Sequence, residues 1–245
     1  MTTIPRVNYG TSEIEYSIKR SDYRNSVDVA VDPKEGVIVT CPSETPEVDI
    51  ENVVLKKAPW VLRKMKKVSE VAVEPPEREY VSGESFLYLG RHYRLKVIED
   101  QFPDSSEVKL KGGRFWIHVP PISDEHSQQE IIQDALKSWF RRKAERKLKE
   151  RAERYAPKIG VTIKGIVVKN QMKRWGSCTK GGVLHVNYRV AMAPMSVIDY
   201  VIVHELAHLK FPKHSNRFWK EIRKLLPDYE RRKDWLRIHG PELSI

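Results

Sequence analysis

The first third of the chain alternates apolar and polar residues with a period of two. Glu13-Ile-Glu-Tyr-Ser-Ile-Lys19 and Ser26-Val-Asp-Val-Ala-Val-Asp32 each put their apolar side chains on one face, and Glu35-Gly36 leads into Val37-Ile-Val-Thr40. This pattern predicts half-buried strands joined by short turns. Pro42-Ser-Glu-Thr-Pro46 reads as a loop, and Val48 to Val68 as a helix with Trp60 and Leu62 turned inward under a Lys/Arg-rich outer face. Glu74-Pro-Pro-Glu77 reads as a linker or loop. Further strands are expected at Ser85–Leu89, His92–Ile98, Glu107–Leu110 and Arg114–Val119, with Gly112-Gly113 as a hairpin turn.

The period changes after Pro120-Pro121. Ile132, Leu136, Phe140, Ala144 and Leu148 recur at four-residue spacing, with Tyr155 on the same side. One long amphipathic helix from Glu130 to Tyr155 follows, its other face crowded with Lys and Arg. Ile166–Lys169 reads as a strand, Gly181-Gly182 as a turn, and Val183–Val190 as the returning strand. Ser196 to Leu209 reads as an apolar helix. The expected fold is therefore α+β: a β-rich region over residues 1–125, then a domain over 126–245 built as long helix, hairpin and second helix.

His204, Glu205 and His208 interrupt the apolar run of that last helix. His204 and His208 are four apart, so they share a helix face and their imidazoles can hold one cation together. Glu205 stands beside the first, where it can reach a water on that cation. A catalytic zinc site takes three protein ligands and keeps a position open. Phe211-Pro212 is placed to end the helix, and a reversal there would return His214 as the third ligand. Buried apolar helices have little other use for His-Glu-x-x-His. His92 and His118 lie in strands without nearby partners and read as ordinary strand residues.

Helix, hairpin and metal helix occur in the order of a small gluzincin-like metallopeptidase. A strand running past the metal could pair with an extended peptide. Trp175, Ser177, Cys178 and Asn187 are candidates for the cleft. The competing reading makes Trp175 a core residue and Gly176 a bulge. With three histidines available, Cys178 is not needed as a ligand.

Charge sharpens the picture only in the second half. Residues 1–125 carry 18 Lys and Arg against 21 Asp and Glu; residues 126–245 carry 26 against 12. The basic half suits a nucleic acid, a nucleotide or an acidic protein, or is a solvated face. Two distant cysteines, Cys41 and Cys178, argue for a reducing compartment over a disulfide framework. The chain opens without an apolar signal core and has no run long enough to span a membrane, so a cytoplasmic protein is expected.

Several stretches together resemble a known family. Arg174-Trp-Gly-Ser-Cys178, Asn187, Asp199-Tyr-Val-Ile-Val-His-Glu-Leu-Ala-His-Leu209, His214-Ser-Asn-Arg-Phe-Trp219 and Pro227-Asp-Tyr229 closely resemble the YgjP-like metal-dependent hydrolases. Ile18-Lys-Arg-Ser21, Tyr88-Leu-Gly90 and His92-Tyr93 extend the likeness over nearly the whole chain. That family is similar to the SprT-like and WLM metallopeptidases, some of which act at DNA. The resemblance implies a zincin-like catalytic domain with His204, His208 and His214 as zinc ligands and Glu205 as catalytic acid/base. Fold and site transfer on such a match; substrate does not.

Peptide hydrolysis with Zn2+, or another divalent transition metal, is the first expectation, with Arg, Lys or His185 as helpers at the developing oxyanion. Nucleotide hydrolysis, as by a nucleoside triphosphate pyrophosphatase, is the second, because the same activated water can attack phosphorus. Against it stands the lack of a Gly-rich phosphate loop and of a magnesium carboxylate cluster. A DNA-associated zinc protein of SprT-like type is the third. A purely structural zinc would call for a fourth ligand and no adjacent Glu.

Overall fold

A computed structural model describes residues 4–32, 35–69, 77–101, 107–121, 124–171 and 174–245. Its contacts divide the chain into two units, Met1–Glu74 and Pro75–Ile245. The loop expected at Glu74-Pro-Pro-Glu77 lies, but for its last residue, outside the described residues.

The first unit has strands β1 (Arg6–Tyr9), β2 (Ser12–Arg20), β3 (Asp28–Asp32) and β4 (Gly36–Cys41), then helix α1 (Glu47–Ser69). The sheet order is β1-β2-β4-β3, with β2 and β4 parallel and the outer pairs antiparallel. Ile14, Tyr16, Val37 and Val39 supply the buried face that the alternation predicts, and α1 covers it with Ile50, Val54, Ala58 and Val61. That spacing of four, four and three sets the helix phase, because a stripe at this period is what an α-helix turns toward a core. Val61 takes the inner position, so Trp60 is turned away and 42% exposed. The expectation of an inward Trp60 is corrected accordingly.

The second unit opens with the same plan. Strands β5 (Ser85–Tyr88), β6 (Arg91–Glu99), β7 (Lys109–Lys111) and β8 (Arg114–Val119) are followed by helix α2 (Glu125–Ile159). Their order is β5-β6-β8-β7, again with the middle pair parallel and the outer pairs antiparallel. The register repeats as well. Val7 faces Ile14 as Phe86 faces Tyr93; Tyr16 faces Val37 as Leu95 faces Phe115. Val29 and Val108 are both buried at corresponding places. One four-strand-and-helix arrangement is therefore used twice.

Only the second copy is extended. Phe86, Leu95, Phe115 and Ile117 of its sheet share one core with Leu136, Trp139 and Phe140 of α2 and with Ile198, Ile202 and Leu206 further on. The division expected near residue 125 thus falls inside a continuous core. Helix α2 has 35 residues and outruns the expected span at both ends. Asp124 caps its start by accepting from Ser127 N, and Gly160 ends it at φ 75°.

After α2 come β9 (Gly165–Lys169), β10 (Gly176–Cys178) and β11 (Val183–Asn187), a 3₁₀ turn (Tyr188–Met192), α3 (Met195–Lys210), α4 (Asn216–Leu225) and α5 (Tyr229–His239). The sheet order is β10-β11-β9, so the hairpin is β10–β11, and β9 runs parallel along the other edge of β11. Strand β11 stops at Asn187, three residues short of the expected Val190. The Asn187 Oδ1 accepts from Arg189 N at 3.1 Å and caps the 3₁₀ turn, which diverts the chain from the extended path.

The β5–β6 turn reaches this region. Leu89 (φ 50°) and Gly90 (φ 77°) form a two-residue turn, and their N–H groups donate to Ala191 O and Met192 O, each at 2.9 Å. A Cβ on Gly90 would lie 2.9 Å from Pro194 Cα, one residue before α3 begins. Among the described residues, no helix is long and apolar enough to cross a membrane.

Candidate metal centre

Helix α3 is buried along Val197–Val203, Leu206 and Ala207, and Asp199, His204, Glu205 and His208 each meet a specific counterpart. Asp199, five residues before His204, is held by α2. Arg151 Nε and Nη2 donate to its two oxygens at 2.5 and 2.8 Å, and Tyr155 OH donates at 3.0 Å. This buried fork fixes the rotation and height of α3 on the longer helix.

One turn on, the imidazoles converge. His204 Nε2 lies 3.2 Å from His208 Nε2 and 3.1 Å from His214 Nε2, and the ligand atoms of all three fall within 4.8 Å of one another. Helix α3 supplies the first two. Phe211 N donates to Ala207 O at 2.8 Å as the helix ends, and the chain turns through Pro212 to bring back His214. His208 Nδ1 lies 3.3 Å from Phe211 O, which fixes the tautomer and leaves Nε2 facing the cluster. No other such cluster occurs among the described residues.

The donor set fits a transition-metal ion. Two nitrogens about 2.05 Å from one tetrahedral ion stand about 3.3 Å apart, close to the spacing found here. Burial, aided by the neighbouring His208 and His214, pushes the His204 pKa down to about 3, and burial lowers His208 as well. Both rings are therefore neutral at pH 7, as metal ligation requires.

Glu205 is 6% exposed and lies against β10. A Cβ at Gly176 would come within 2.7 Å of its Cγ and Oε1, so only glycine leaves room for this carboxylate. Burial raises its pKa to about 7, and the charge of Arg174 works in the opposite direction. A cleft of about 580 Å³ runs over these groups between β10 and the loop around Pro212.

Ser177 and Cys178 line the cleft, as do Arg174 and Lys180. Trp175 and Asn187 do not. Trp175 packs on Gly240, where a Cβ would meet its ring at 2.9 Å. Asn187 is buried and donates to Gln171 O at 2.6 Å, so it serves the backbone around the cleft rather than its surface. Cys178 stands outside the histidine cluster, its thiol pushed up to about 11 by burial and by Glu205. His185, a candidate helper, pairs with Ser177 across the hairpin and is not among the lining groups. His92 bonds Ser85 Oγ at 3.2 Å and His118 faces Asp100 at 3.4 Å, both apart from the centre.

The sequence marks Gly176 only as a possible bulge; its close approach to Glu205, the Arg151–Tyr155–Asp199 fork and the stacking of rings on His214 emerge from the fold. The same isolated glycine in a strand is also a signal for close approach of a neighbouring group, which here is Glu205.

A family model described as YgjP-like, metallopeptidase domain, matches residues 25–239. Among solved structures, the crystal structure of the metallopeptidase zymogen of Pyrococcus abyssi abylysin is similar over 36% of this chain and 89% of its own, at 22% identity and a TM-score of 0.34. No match was found among curated proteins.

Proposed function

The chain belongs to the YgjP-like metallopeptidase family, and from that premise we propose a metal-dependent peptidase centred on His204, His208 and His214, with Glu205 as general acid/base. The observation that carries this reading is the placement of a buried carboxylate beside three convergent imidazoles in one cleft. A zinc ion bound there would supply Lewis acidity enough to bring the pKa of water from about 15.7 to about 7.

The chain's own residues supply the rest. On this reading Glu205 takes a proton from the attacking water and passes it to the leaving amine, a role supported by its burial beside the imidazoles. Strand β10, whose Gly176, Ser177 and Cys178 line the cleft, pairs with β11 on one side, and among the described residues no strand pairs with its other edge. An extended substrate backbone can hydrogen-bond along that edge and present its carbonyl to the centre. Gly176 keeps the carboxylate seated. Gly176→Ala should therefore cut turnover about 100-fold by displacing Glu205, with metal content unchanged. Full activity in that variant would show that the seat is unimportant.

One observation favours a second reading. Arg174 and Lys180 line the cleft without an ion pair to any described residue, and such cations suit a triphosphate, making the chain a nucleotide phosphohydrolase. No comparable observation favours nucleic acid. Several cations of α2 are engaged within the fold, Arg142 with Glu107, Lys147 with Glu150 and Lys143 over Trp139.

The test offers metal-loaded protein a pool of unfolded polypeptides and, separately, a panel of nucleoside triphosphates. New peptide termini are expected. Release of phosphate or pyrophosphate, with the polypeptides intact, would replace the first reading with the second.

A further inference from the structure

The three imidazoles are held by unlike means. His204 and His208 share the rigidity of α3, and His208 has the Phe211 carbonyl as an anchor. His214 lies beyond the helix on an exposed turn. Apart from the Nε2 contact with His204, its ring makes no hydrogen bond to a described residue. An unrestrained imidazole there would sample several rotamers and would have to be ordered each time a metal bound.

Aromatic rings provide the restraint. The Trp219 ring stacks on His214 at 5.5 Å between centroids and 21° between planes. Tyr229 stacks on the same indole at 5.3 Å and 18°, and Lys233 Nζ lies 4.8 Å from its centroid. Trp219 is fixed to the His214 turn by its backbone as well. Trp219 N donates to Ser215 O at 3.2 Å, and Ser215 Oγ caps α4 by accepting from Phe218 N at 3.4 Å. Tyr229 is anchored in turn, its hydroxyl donating to Glu230 at 3.0 Å and accepting from Arg223 at 3.5 Å. Turn, α4 and α5 therefore meet on one indole.

We propose that Trp219, braced by Tyr229, is the positioning residue for His214, so that the third ligand is preset in the metal-free chain. The inference rests on the metal-centre reading above. It makes the C-terminal helices part of the metal site although neither carries a ligand. Phe218 touches all three imidazoles at 4.7–5.0 Å but is fully buried, so its loss would open the core. Trp219 is only half-buried, which allows its effect on His214 to be separated from its effect on folding.

The experiment measures Zn2+ affinity of the full chain by competition with a chelating dye, for wild type, Trp219→Leu, Trp219→Phe and Tyr229→Leu. Circular dichroism of each metal-free protein checks the fold. Trp219→Leu should lower affinity about 10- to 100-fold, the range for outer partners of metal ligands. Trp219→Phe keeps a ring in place and should restore most of it, which a loss of bulk packing alone does not explain. Substituting Co2+ gives an independent readout: the visible spectrum of wild type and Trp219→Phe should agree, and that of Trp219→Leu should change with its ligand geometry. If Trp219→Leu fails to fold, Tyr229→Leu carries the test with the same expected direction. Unchanged zinc affinity in a folded Trp219→Leu, or in Tyr229→Leu where that variant stands in, overturns the positioning role and leaves the centre intact. A wild-type chain that takes up no metal overturns both.

Discussion

Replacing Glu205 with Gln is expected to leave metal binding intact and to lower turnover by about 10²- to 10⁴-fold, the range for loss of a general acid/base. Gln has nearly the volume of Glu, so it fits against Gly176 without a clash, and the three imidazoles are untouched. What disappears is the capacity to accept a proton and return it. The loss should therefore fall on kcat more than on KM. Metal analysis of the purified variant beside peptide turnover checks both halves. Unchanged turnover at full metal content would remove Glu205 from the mechanism.

The second large effect concerns folding. Asp199→Ala removes the buried partner of the Arg151 guanidinium, where both side chains are about one-tenth exposed, at 10% and 11%, and leaves it only a 3.8 Å contact with the exposed Glu150. Breaking one partner of a buried pair costs about 3–5 kcal/mol, because the remaining charge stays desolvated. For a unit of this size that is a fall in Tm of about 6–20 °C. The double replacement Asp199→Ala with Arg151→Met should recover much of the loss, since it removes the stranded charge as well. Thermal denaturation of the metal-free variants decides the matter. Equal melting of wild type and Asp199→Ala would mean that the fork contributes little. The double variant melting lower still would show instead that Arg151 serves a purpose apart from Asp199.

How far the fold could be read in advance depended on the range of the information. The strands of the first unit follow from local alternation, and the long helix from its four-residue stripe. The His204, Glu205, His208 and His214 spacing is legible because residue type and short-range geometry suffice for it. Trp60 was misjudged because four apolar residues fix a helix phase only when all are counted, and Val61 outcompetes its neighbour for the core. The partners of Asp199 lie 48 and 44 residues away along the chain, and no local pattern joins them. Asn187, a cleft candidate by its place in the motif with residues 174–178, has its amide taken up by the backbone, a partnership that the residue type alone does not disclose. The repeat is not legible in the sequence because corresponding core positions hold different apolar residues, Val7 for Phe86 and Tyr16 for Leu95, and core volume can be met by many side chains.

That repeat leaves its two copies with unequal freedom to change. The turn of the second copy is bonded to Ala191 and Met192, and Gly90 presses on Pro194 at the threshold of α3. The matching turn of the first copy holds Gly10, also at positive φ (61°), but a Cβ there would meet nothing within 4 Å, so a side chain would strain only its own turn. A mutation in one hairpin tip is transmitted to the helix that carries the histidines; the same mutation in the other stays where it falls. The second copy's tip is thus a tether for the histidine helix, whereas the first copy's tip carries only the conformational demand of its own turn.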